Sequence, residues 1–426
     1  MKYFLFVSTF FSIMLLTVHM VLLPATSSVQ NDTCPSGAPK QYKDIKPGTV
    51  VNTYFLSWHG RKYTPNNFEK VAQNVTHLTY AFARPNRDGS CDFLHPKIAL
   101  GIGEEYAAEG GNFDQLIKVK ERHPHLKVLL SIGGGGCDQT FVHLAKSKLL
   151  EVYAQACIKI LDSYTYVFEE GTPDFGKTKL FKYEKLFDGI DINWEFSPTG
   201  VKKEIADAYL MFVQIMRRLL DKRERRLRKT MLLTATLQVS PKVYGDLPID
   251  QVAESIDWFN VMGYDIYNAS AQAIGHNAPI CGSYNVYTID GALNRIMNRG
   301  VSPDKLVLIL PGYGHQYGET AGFNKPFNRK SKHTRSLPYK DIVKIERDYQ
   351  LSWDTRARVP VLSHRQNKIA ISYDDENSFK QKIGLASLKL LLGVGLWAIS
   401  YVYDNVQDRH YLIDIMSELV GEPFIF

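Results

Sequence analysis

The sequence predicts an α/β protein built on a (β/α)8 barrel, and three observations support that fold class. Eight short, apolar, β-rich runs alternate along the chain with segments of helical periodicity. One run carries a row of polar and acidic residues that ends where a barrel strand meets its loops. No glycine-rich dinucleotide turn accompanies the early strands, which argues against the alternative fold, a doubly wound open sheet.

The predicted strands follow one another at the spacing of a barrel. They are Val50–Leu56, Val75–Ala83, Lys127–Ile132, Phe187–Glu195, Met231–Leu237, Trp258–Gly263, Leu306–Leu310 and Gly395–Ser400. Helical patterns lie between them, for example at Phe141–Leu161, Lys203–Arg228 and Ser378–Leu391. In such a fold, the functional residues are expected at the carboxyl ends of the strands.

Two stretches interrupt this alternation. Thr165–Lys185 is a charged insertion that contains Gly and Pro and precedes the fourth predicted strand. Residues 317–375 lie between the seventh and eighth predicted strands and are too long for a barrel loop. Because they contain strand-like runs of their own, we predict a small α+β insertion subdomain there. The barrel then comprises residues 45–316 and 376–420.

The amino terminus has the layout of a secretory signal peptide, which we assign to residues 1–27. Lys2 precedes a mostly apolar run that reaches Leu23, and three small residues follow. Because this run is long, an uncleaved membrane anchor is the alternative. The sequence therefore predicts a secreted protein with no membrane association after signal removal. Glycosylation sequons occur at Asn31, Asn74 and Asn268.

Composition indicates a globular protein with a modest basic excess. The chain has 426 residues, of which 45% are hydrophobic and 22% charged, and its net charge is +7. Much of the excess lies at Arg217-Arg218 and Lys222–Lys229, among apolar residues at helical spacing. These basic residues are interpreted as the solvated face of an outer helix. We therefore expect no nucleic-acid partner, and we expect a monomer.

The cysteines suit an exported protein. There are five, Cys34, Cys91, Cys137, Cys157 and Cys281, so at least one is unpaired. Cys157 falls in a helical pattern and is predicted to be buried. Cys91 and Cys137 follow adjacent predicted strands at the same end of the barrel, so we predict that they form a disulfide. No Cys or His cluster has metal-ligand spacing, and we expect neither a metal nor a cofactor.

The fourth predicted strand carries the most informative motif, Phe187-Asp188-Gly189-Ile190-Asp191-Ile192-Asn193-Trp194-Glu195. Side chains two apart on a strand share a face, so Asp191, Asn193 and Glu195 point the same way. Such a row between apolar neighbours is costly unless it lines a cavity. Glu195 ends the row, which indicates a general acid with polar residues behind it. The alternative is an edge strand with a solvated polar face.

This motif resembles the Asp-x-x-Asp-x-Asp-x-Glu signature of glycoside hydrolase family 18, the chitinases and chitinase-like proteins. It departs at one position, because Asn193 stands where the family has its third acid. Other segments resemble motifs of the same family, namely Tyr54–Trp58, Thr76–Phe82, Ser131–Gly134, Asn260–Asp265, Gly275–Pro279, Leu310–Gly314, Ile371–Asp375 and Gly395–Trp397. Each motif is short, and the resemblance rests on their order and spacing together.

The resemblance implies cleavage of β-1,4-linked N-acetylglucosamine polymers by substrate-assisted retention. Glu195 would protonate the leaving oxygen and later activate water, while the acetamido oxygen of the substrate attacks the anomeric carbon. Asn193 would accept a hydrogen bond from the acetamido N–H without supplying a negative charge. Asp191, supported by Ser131 and Tyr54, would orient Asn193.

The same resemblance assigns the remaining site residues. Tyr264 would hydrogen-bond the acetamido carbonyl, Asp265 would reach a sugar hydroxyl, and Trp397 would form an apolar floor under the reactive sugar. The expected substrate-binding set is completed by Asp188, Met262 and Tyr313. The implied partner is chitin or an N-acetylglucosamine oligosaccharide.

Three functions remain open at this point. Retained Glu195 favours a secreted chitinase with a slowed site. Asn193 favours a non-hydrolytic, carbohydrate-binding chitinase-like protein, because losing one charged stabiliser can cost about 10²–10³ in rate. The third candidate is an endo-β-N-acetylglucosaminidase that acts on N-glycan cores. The insertion favours a chitinase over this third candidate, because a subdomain beside the cleft deepens it for linear oligomers.

Overall fold

The structure is a computed structural model that describes residues 49–62, 65–103, 110–170, 172, 174–268, 271, 273–282, 287–323, 325–364, 366–404, 409–410 and 412–420. All of these residues belong to one compact unit, Cys34–Phe426. The predicted signal peptide at residues 1–27, the sequon at Asn31 and Cys34 lie outside the described residues.

The strands are numbered along the chain. They are β1 (Val50–Leu56), β2 (His77–Pro85), β3 (Cys91–Phe93), β4 (Lys127–Gly133), β5 (Ser163–Val167), β6 (Thr178–Lys182), β7 (Gly189–Asn193), β8 (Leu232–Gln238), β9 (Trp258–Met262), β10 (Leu306–Pro311), β11 (Tyr313–Tyr317), β12 (Arg335–Pro338), β13 (Gln350–Asp354), β14 (Val359–His364), β15 (Ile369–Ser372), β16 (Gly393–Trp397), β17 (Tyr403–Asp404) and β18 (Arg409–His410).

The helices of the described residues are numbered in the same way. They are α1 (Pro65–Asn74), α2 (Pro96–Leu100), α3 (Gly111–Arg122), α4 (Asp138–Lys146), α5 (Leu150–Lys159), α6 (Lys203–Leu227), α7 (Pro241–Tyr244), α8 (Ile249–Ser255), α9 (Ile289–Asn298), α10 (Tyr339–Ile345), α11 (Glu376–Leu388), α12 (Ile399–Val402) and α13 (Ile413–Val420). Short 3-10 helices cover Ser57–Lys62, Pro303–Lys305 and Glu346–Asp348. None of the helices described is long and apolar enough to cross a membrane.

Eight parallel strands close into a barrel, which confirms the predicted fold class. Their order around the barrel is β1, β2, β4, β7, β8, β9, β10 and β16, and β1 pairs with both β2 and β16. Every residue of β10 is buried, as expected for a strand covered by helices on one side and by the barrel interior on the other. The short strand β3 pairs antiparallel with the end of β2 and is the edge strand of the sheet.

Helix α6 carries much of the basic cluster that the sequence shows. Its apolar residues Tyr209, Phe212 and Met216 are buried, as their helical spacing requires. Most of its basic side chains are exposed to solvent, as the sequence indicated. Arg217 is half-buried, and Arg223 is buried and forms a salt bridge with Asp162.

An antiparallel sheet lies between the last two barrel strands along the chain. Its strand order is β12, β11, β15, β14 and β13, and α10 follows β12. The first strand, β11, begins at Tyr313, ahead of the predicted boundary at residue 317. Because β11 starts two residues after β10 ends, the residues that leave the barrel also begin this sheet. The earlier insertion, Thr165–Lys185, contains most of the β5–β6 hairpin.

The predicted disulfide between Cys91 and Cys137 is wrong. Cys91, Cys137 and Cys157 are free and buried, whereas Cys281 is disulfide-bonded. Cys91 lies on β3, which folds back from the end of β2 towards α5, so its sulfur meets Cys157 on that helix. Cys137 instead precedes α4, and its thiol donates a hydrogen bond to the carbonyl oxygen of Gly133. The burial of Cys157 is as predicted.

Candidate active site

A cleft of about 870 Å³ opens at the carboxyl ends of the barrel strands. Six of the residues predicted to form the site line it, namely Glu195, Met262, Tyr264, Asp265, Tyr313 and Trp397. Four others are buried behind this surface, namely Tyr54, Ser131, Asp191 and Asn193. The structure therefore places ten of the predicted residues at one end of the barrel.

Asp191 is the centre of a buried hydrogen-bond network. One carboxylate oxygen accepts hydrogen bonds from the hydroxyls of Tyr54 at 3.1 Å and Ser131 at 2.7 Å. The other accepts from the Thr234 hydroxyl at 2.7 Å and the Asn260 amide at 2.9 Å. Burial raises the pKa of Asp191, and these hydrogen bonds oppose that rise. All its partners are neutral, and they hold the carboxylate in one orientation.

Asn193 is buried on the same face of β7 as Asp191, and its side chain has a partner on the neighbouring strand. Its side-chain oxygen accepts a hydrogen bond from the Thr236 hydroxyl at 3.0 Å. Within the described residues, no hydrogen bond joins Asn193 to Asp191, and Thr236 contacts the amide instead. The reason is that β8 runs beside β7 and presents Thr236 to the amide.

Glu195 follows β7 by two residues, because the strand ends at Asn193 rather than at Glu195. The loop after β4 passes close to it, since a Cβ on Gly135 would lie 3.5 Å from a Glu195 carboxylate oxygen. Burial and the negative charge of Asp265 raise the pKa of Glu195 to about 7, against a smaller lowering by Arg84. A carboxyl group of that pKa can donate and accept a proton near neutral pH.

Asp265 is held at the cleft by residues from the insertion sheet. Its carboxylate oxygen Oδ1 accepts a hydrogen bond from the Tyr313 hydroxyl at 2.7 Å and contacts Nε2 of His315 at 2.8 Å. The Asp265 backbone N–H donates to the side-chain oxygen of Asn277 at 2.9 Å. With φ at +56°, Asp265 adopts a left-handed conformation, which these contacts stabilise.

Aromatic rings form one wall of the cleft. The Trp397 ring lies 5.1 Å from that of Tyr54 and 5.8 Å from that of Phe82, measured between centroids. Trp58 continues the series, 6.3 Å from Phe82 and nearly parallel to it. Apolar ring faces of this kind suit the apolar faces of sugar rings. Tyr264, which is almost fully buried, packs edge-on to Tyr313 at 5.9 Å.

Asp188 does not belong to this site. It precedes β7 at the amino-terminal end of the barrel, where its carboxylate pairs with Lys120 at 2.5 Å and Lys229 at 2.6 Å. It also accepts a hydrogen bond from the Val128 backbone N–H at 2.7 Å. Burial alone would raise its pKa, but the two lysine charges lower it. The prediction that Asp188 binds substrate is therefore wrong, because the residue braces the opposite end of the barrel.

Several residues of the cleft were missed in the sequence. Arg84 lies near the end of β2 and Gly135 in the loop after β4, and both border Glu195. Their positions just after two strand motifs were the available signal. His315 and Lys242 gave no comparable signal, because His315 belongs to the insertion sheet and Lys242 to the short helix after β8.

The groups that line the cleft point to acid–base chemistry. Across the residues that the structure describes, no group of three or more His, Cys, Asp or Glu side chains could hold a metal ion. Glu195 and Asp265 are the acids among the described residues of its lining. The arrangement combines one titrating carboxyl group, a stacking surface and a buried polar network.

Comparisons with known proteins point to the same family that the sequence motifs resemble. The family model of glycosyl hydrolases family 18 matches residues 50–401. Chitinase A1 of Niallia circulans is 25% identical over 411 residues, which cover 82% of this chain and 56% of that protein. Probable chitinase 2 of Drosophila melanogaster is 27% identical over 382 residues, which cover 82% of this chain and 71% of that protein.

The solved structures show the same fold. An immunomodulatory active chitinase from Trichuris suis aligns with a TM-score of 0.72 and 21% identity, over 88% of this chain and 100% of that one. Sequence identity at this level supports likeness of fold. Compared with Chitinase A1, this chain spans little more than half of its relative's length, 56%.

Proposed function

Because this chain belongs to glycosyl hydrolases family 18, we propose that it hydrolyses chitin and β-1,4-linked N-acetylglucosamine oligomers with Glu195 as the general acid and base. The observation that carries the proposal is the position of Glu195, a carboxyl group with a pKa of about 7, in a cleft walled by aromatic rings. The large cleft, bordered by the insertion sheet, suits a linear oligomer.

In the proposed first step, protonated Glu195 donates its proton to the glycosidic oxygen as the bond breaks. The substrate's acetamido oxygen attacks the anomeric carbon, because the described residues of the cleft offer no second free carboxylate as a nucleophile. Asp265 is the other acid of the described lining, but Tyr313 and His315 hold its carboxylate. In the second step, the Glu195 carboxylate accepts a proton from water, which opens the cyclic intermediate with net retention.

The buried polar residues orient the acetamido group in this proposal. Thr236 occupies one lone pair of the Asn193 side-chain oxygen, which leaves a second lone pair for the acetamido N–H. The Tyr264 hydroxyl would hydrogen-bond the acetamido carbonyl, and Trp397 would stack beneath the reactive sugar. Asp191 acts through the hydrogen bonds that fix Tyr54 and Ser131. The positive charge on the intermediate then lacks an adjacent anion, so turnover is slow.

A second candidate function is carbohydrate binding without turnover. The observation that favours it is the neutral Asn193, whose side chain has one described hydrogen bond, to another neutral group, Thr236. Removing one preorganised stabiliser of developing charge costs about 10²–10³ in rate. A cleft of this kind would still bind oligomers through Trp397 and its neighbours.

The experiment that separates the two functions uses purified protein and chito-oligosaccharides of defined length. NMR is used to monitor the anomer that is released. The wild type is expected to cleave with retention of the β-anomer, and Glu195→Gln is expected to lose cleavage. Calorimetric binding without cleavage above this control would establish the lectin function. If the protein neither binds nor cleaves these oligomers, both functions are overturned.

We further propose that the protein is secreted after removal of residues 1–27 and acts as a monomer. Amino-terminal sequencing of protein exported from eukaryotic cells is expected to begin after residue 27, and sedimentation is expected to give a single-chain mass. Of the predicted sequons, Asn268 lines the cleft. A glycan on Asn268 would therefore stand at the substrate's entrance, and peptide mass mapping would detect it.

A further inference from the structure

Two free cysteines meet in the interior of the protein. The thiol of Cys157 donates a hydrogen bond to the Cys91 sulfur, and the two sulfurs are 3.2 Å apart. Cys157 is fully buried and Cys91 is 4% exposed. A disulfide requires about 2.05 Å between sulfurs, so a relative movement of about 1 Å would join them.

A bond between these two cysteines would join the edge strand of the barrel sheet to a neighbouring helix. Cys91 begins β3, a strand of three residues at the edge of the barrel sheet. Cys157 lies on α5, which packs against β3. Opposite β3, in register with Cys91 and Asp92, are Pro85 and Arg84, and Arg84 lines the cleft. A cross-link would therefore fasten to a helix the edge strand that supports one wall of the active site.

We propose that Cys91 and Cys157 form a disulfide when the protein folds in an oxidising compartment. The bond forms between the two sulfurs, and each thiol loses its proton. The two electrons reduce a disulfide oxidant, either a small-molecule disulfide or a protein dithiol oxidase, to two thiols. Because 66 positions separate the cysteines in sequence, the bond would constrain a long segment of the unfolded chain.

The buried location sets when this reaction takes place. Exchange requires a thiolate that an oxidant can reach, and burial raises the pKa of the Cys91 thiol. Oxidation therefore occurs during folding, before β3 packs onto α5, and the bond is then shielded from reductants. Cys281 is already disulfide-bonded, so this chain suits an oxidising environment. Cys137 is left as the free thiol, because its sulfur faces the Gly133 carbonyl rather than the pair.

The test uses full-length protein secreted from eukaryotic cells, which is denatured, alkylated without reduction and mapped by mass spectrometry. The expected result is a cross-linked peptide that contains Cys91 and Cys157, with Cys137 alkylated. Alkylation of both Cys91 and Cys157, or a cross-link from either one to Cys137, would overturn the proposal.

A stability measurement provides a second test. Both proteins are unfolded, reduced and refolded in reductant, so that the buried bond is broken. This treatment is expected to lower the melting temperature of the wild type by several degrees more than that of Cys157→Ala, in which Cys91 has no partner. The Cys281 disulfide is common to both proteins, so the difference isolates the proposed bond. Equal lowering in both would count against the bond. Neither the peptide map nor the melting temperature depends on glycosidase activity. The disulfide proposal can therefore fail while the proposed function holds, and the reverse.

Discussion

At the scale of single residues, the pKa of Glu195 controls when the site can act. Two neighbouring charges affect that pKa in opposite directions, with Asp265 raising it and Arg84 lowering it. Because the first step requires protonated Glu195, activity should fall as the pH rises above about 7. Substituting either neighbour should move this basic limb of the pH profile in a predictable direction.

Asp265→Asn removes the negative charge that raises the pKa of Glu195. Glu195 should then lose its proton at a lower pH, and the basic limb of kcat/KM should shift towards acid by roughly half a pH unit. The profile is measured on a chito-oligosaccharide across pH 4 to 9. An unchanged or alkaline-shifted limb would show that Asp265 does not act on Glu195 through its charge.

Arg84→Gln should have the opposite effect, because it removes a positive charge that stabilises the Glu195 carboxylate. The basic limb should move towards alkali by roughly half a pH unit. Arg87→Gln is the matched control, since Arg87 is exposed on the turn after β2 and does not line the cleft. Equal profiles for the two variants would contradict the assignment of Arg84.

Asn193→Asp tests the origin of slow turnover. A carboxylate at this position would stabilise the positive charge of the intermediate, and kcat should rise by up to about 10²-fold. Thr236 can still donate its hydrogen bond to the new carboxylate, so the side chain should keep its orientation. If wild-type hydrolysis is rapid and the variant is no faster, another feature of the site has replaced the missing acid.

At the scale of elements, the turn that leaves β4 depends on glycine. Gly133 has φ at +110°, and a Cβ there would lie 2.3 Å from the Asn193 carbonyl oxygen and 2.9 Å from the Phe141 ring. That same carbonyl accepts a hydrogen bond from the Gly134 N–H at 2.8 Å. The close approach of β4 to β7 therefore brings the loop beside Glu195.

Gly133→Ala should destabilise the protein by at least about 2–3 kcal/mol, because the clash adds to the strain of a left-handed backbone. Gly136→Ala is the matched control, since its φ is +85° but a Cβ there would have no heavy atom within 4 Å. We expect it to cost only about 1 kcal/mol. Urea unfolding compares the two, and equal losses would mean that backbone strain alone governs this loop.

At the scale of the whole molecule, contacts between Asp and His side chains join the barrel loops to the insertion sheet. Asp354 on β13 pairs with His276, which lies in the segment between β9 and α9, at 3.1 Å. The hydrogen bond from His276 and those from the backbone N–H groups of Arg356 and Ala357 lower the pKa of Asp354 to about 2. This depressed pKa makes the contact sensitive to acid.

Asp354 therefore stabilises the fold above its unfolded pKa of 3.8, and this contribution is lost as the pH falls towards about 2. At pH 7, Asp354→Asn should lower the free energy of unfolding by about 1 kcal/mol, after allowance for solvent screening. The difference from wild type should shrink between pH 4 and 2. A constant difference across that range, measured by chemical denaturation, would show that charge is not the cause.

The sequence was sufficient for features that depend on local periodicity. Alternating apolar runs predicted the barrel strands, and the two-residue repeat placed Asp191 and Asn193 on one face of β7. The same parity argues against Asp188, which lies three residues before Asp191 and pairs with lysines at the far end of the barrel. Asp188 was predicted as a site residue only because the family motif includes that position.

Only the tertiary structure decided which partners surround those residues. Thr234, Thr236 and Asn260 reach β7 through the register of β8 and β9, which no local pattern encodes. His315 meets Asp265 because the insertion sheet starts where β10 leaves the barrel. Side-chain direction follows from backbone geometry over a few residues, whereas partner choice depends on how distant strands align.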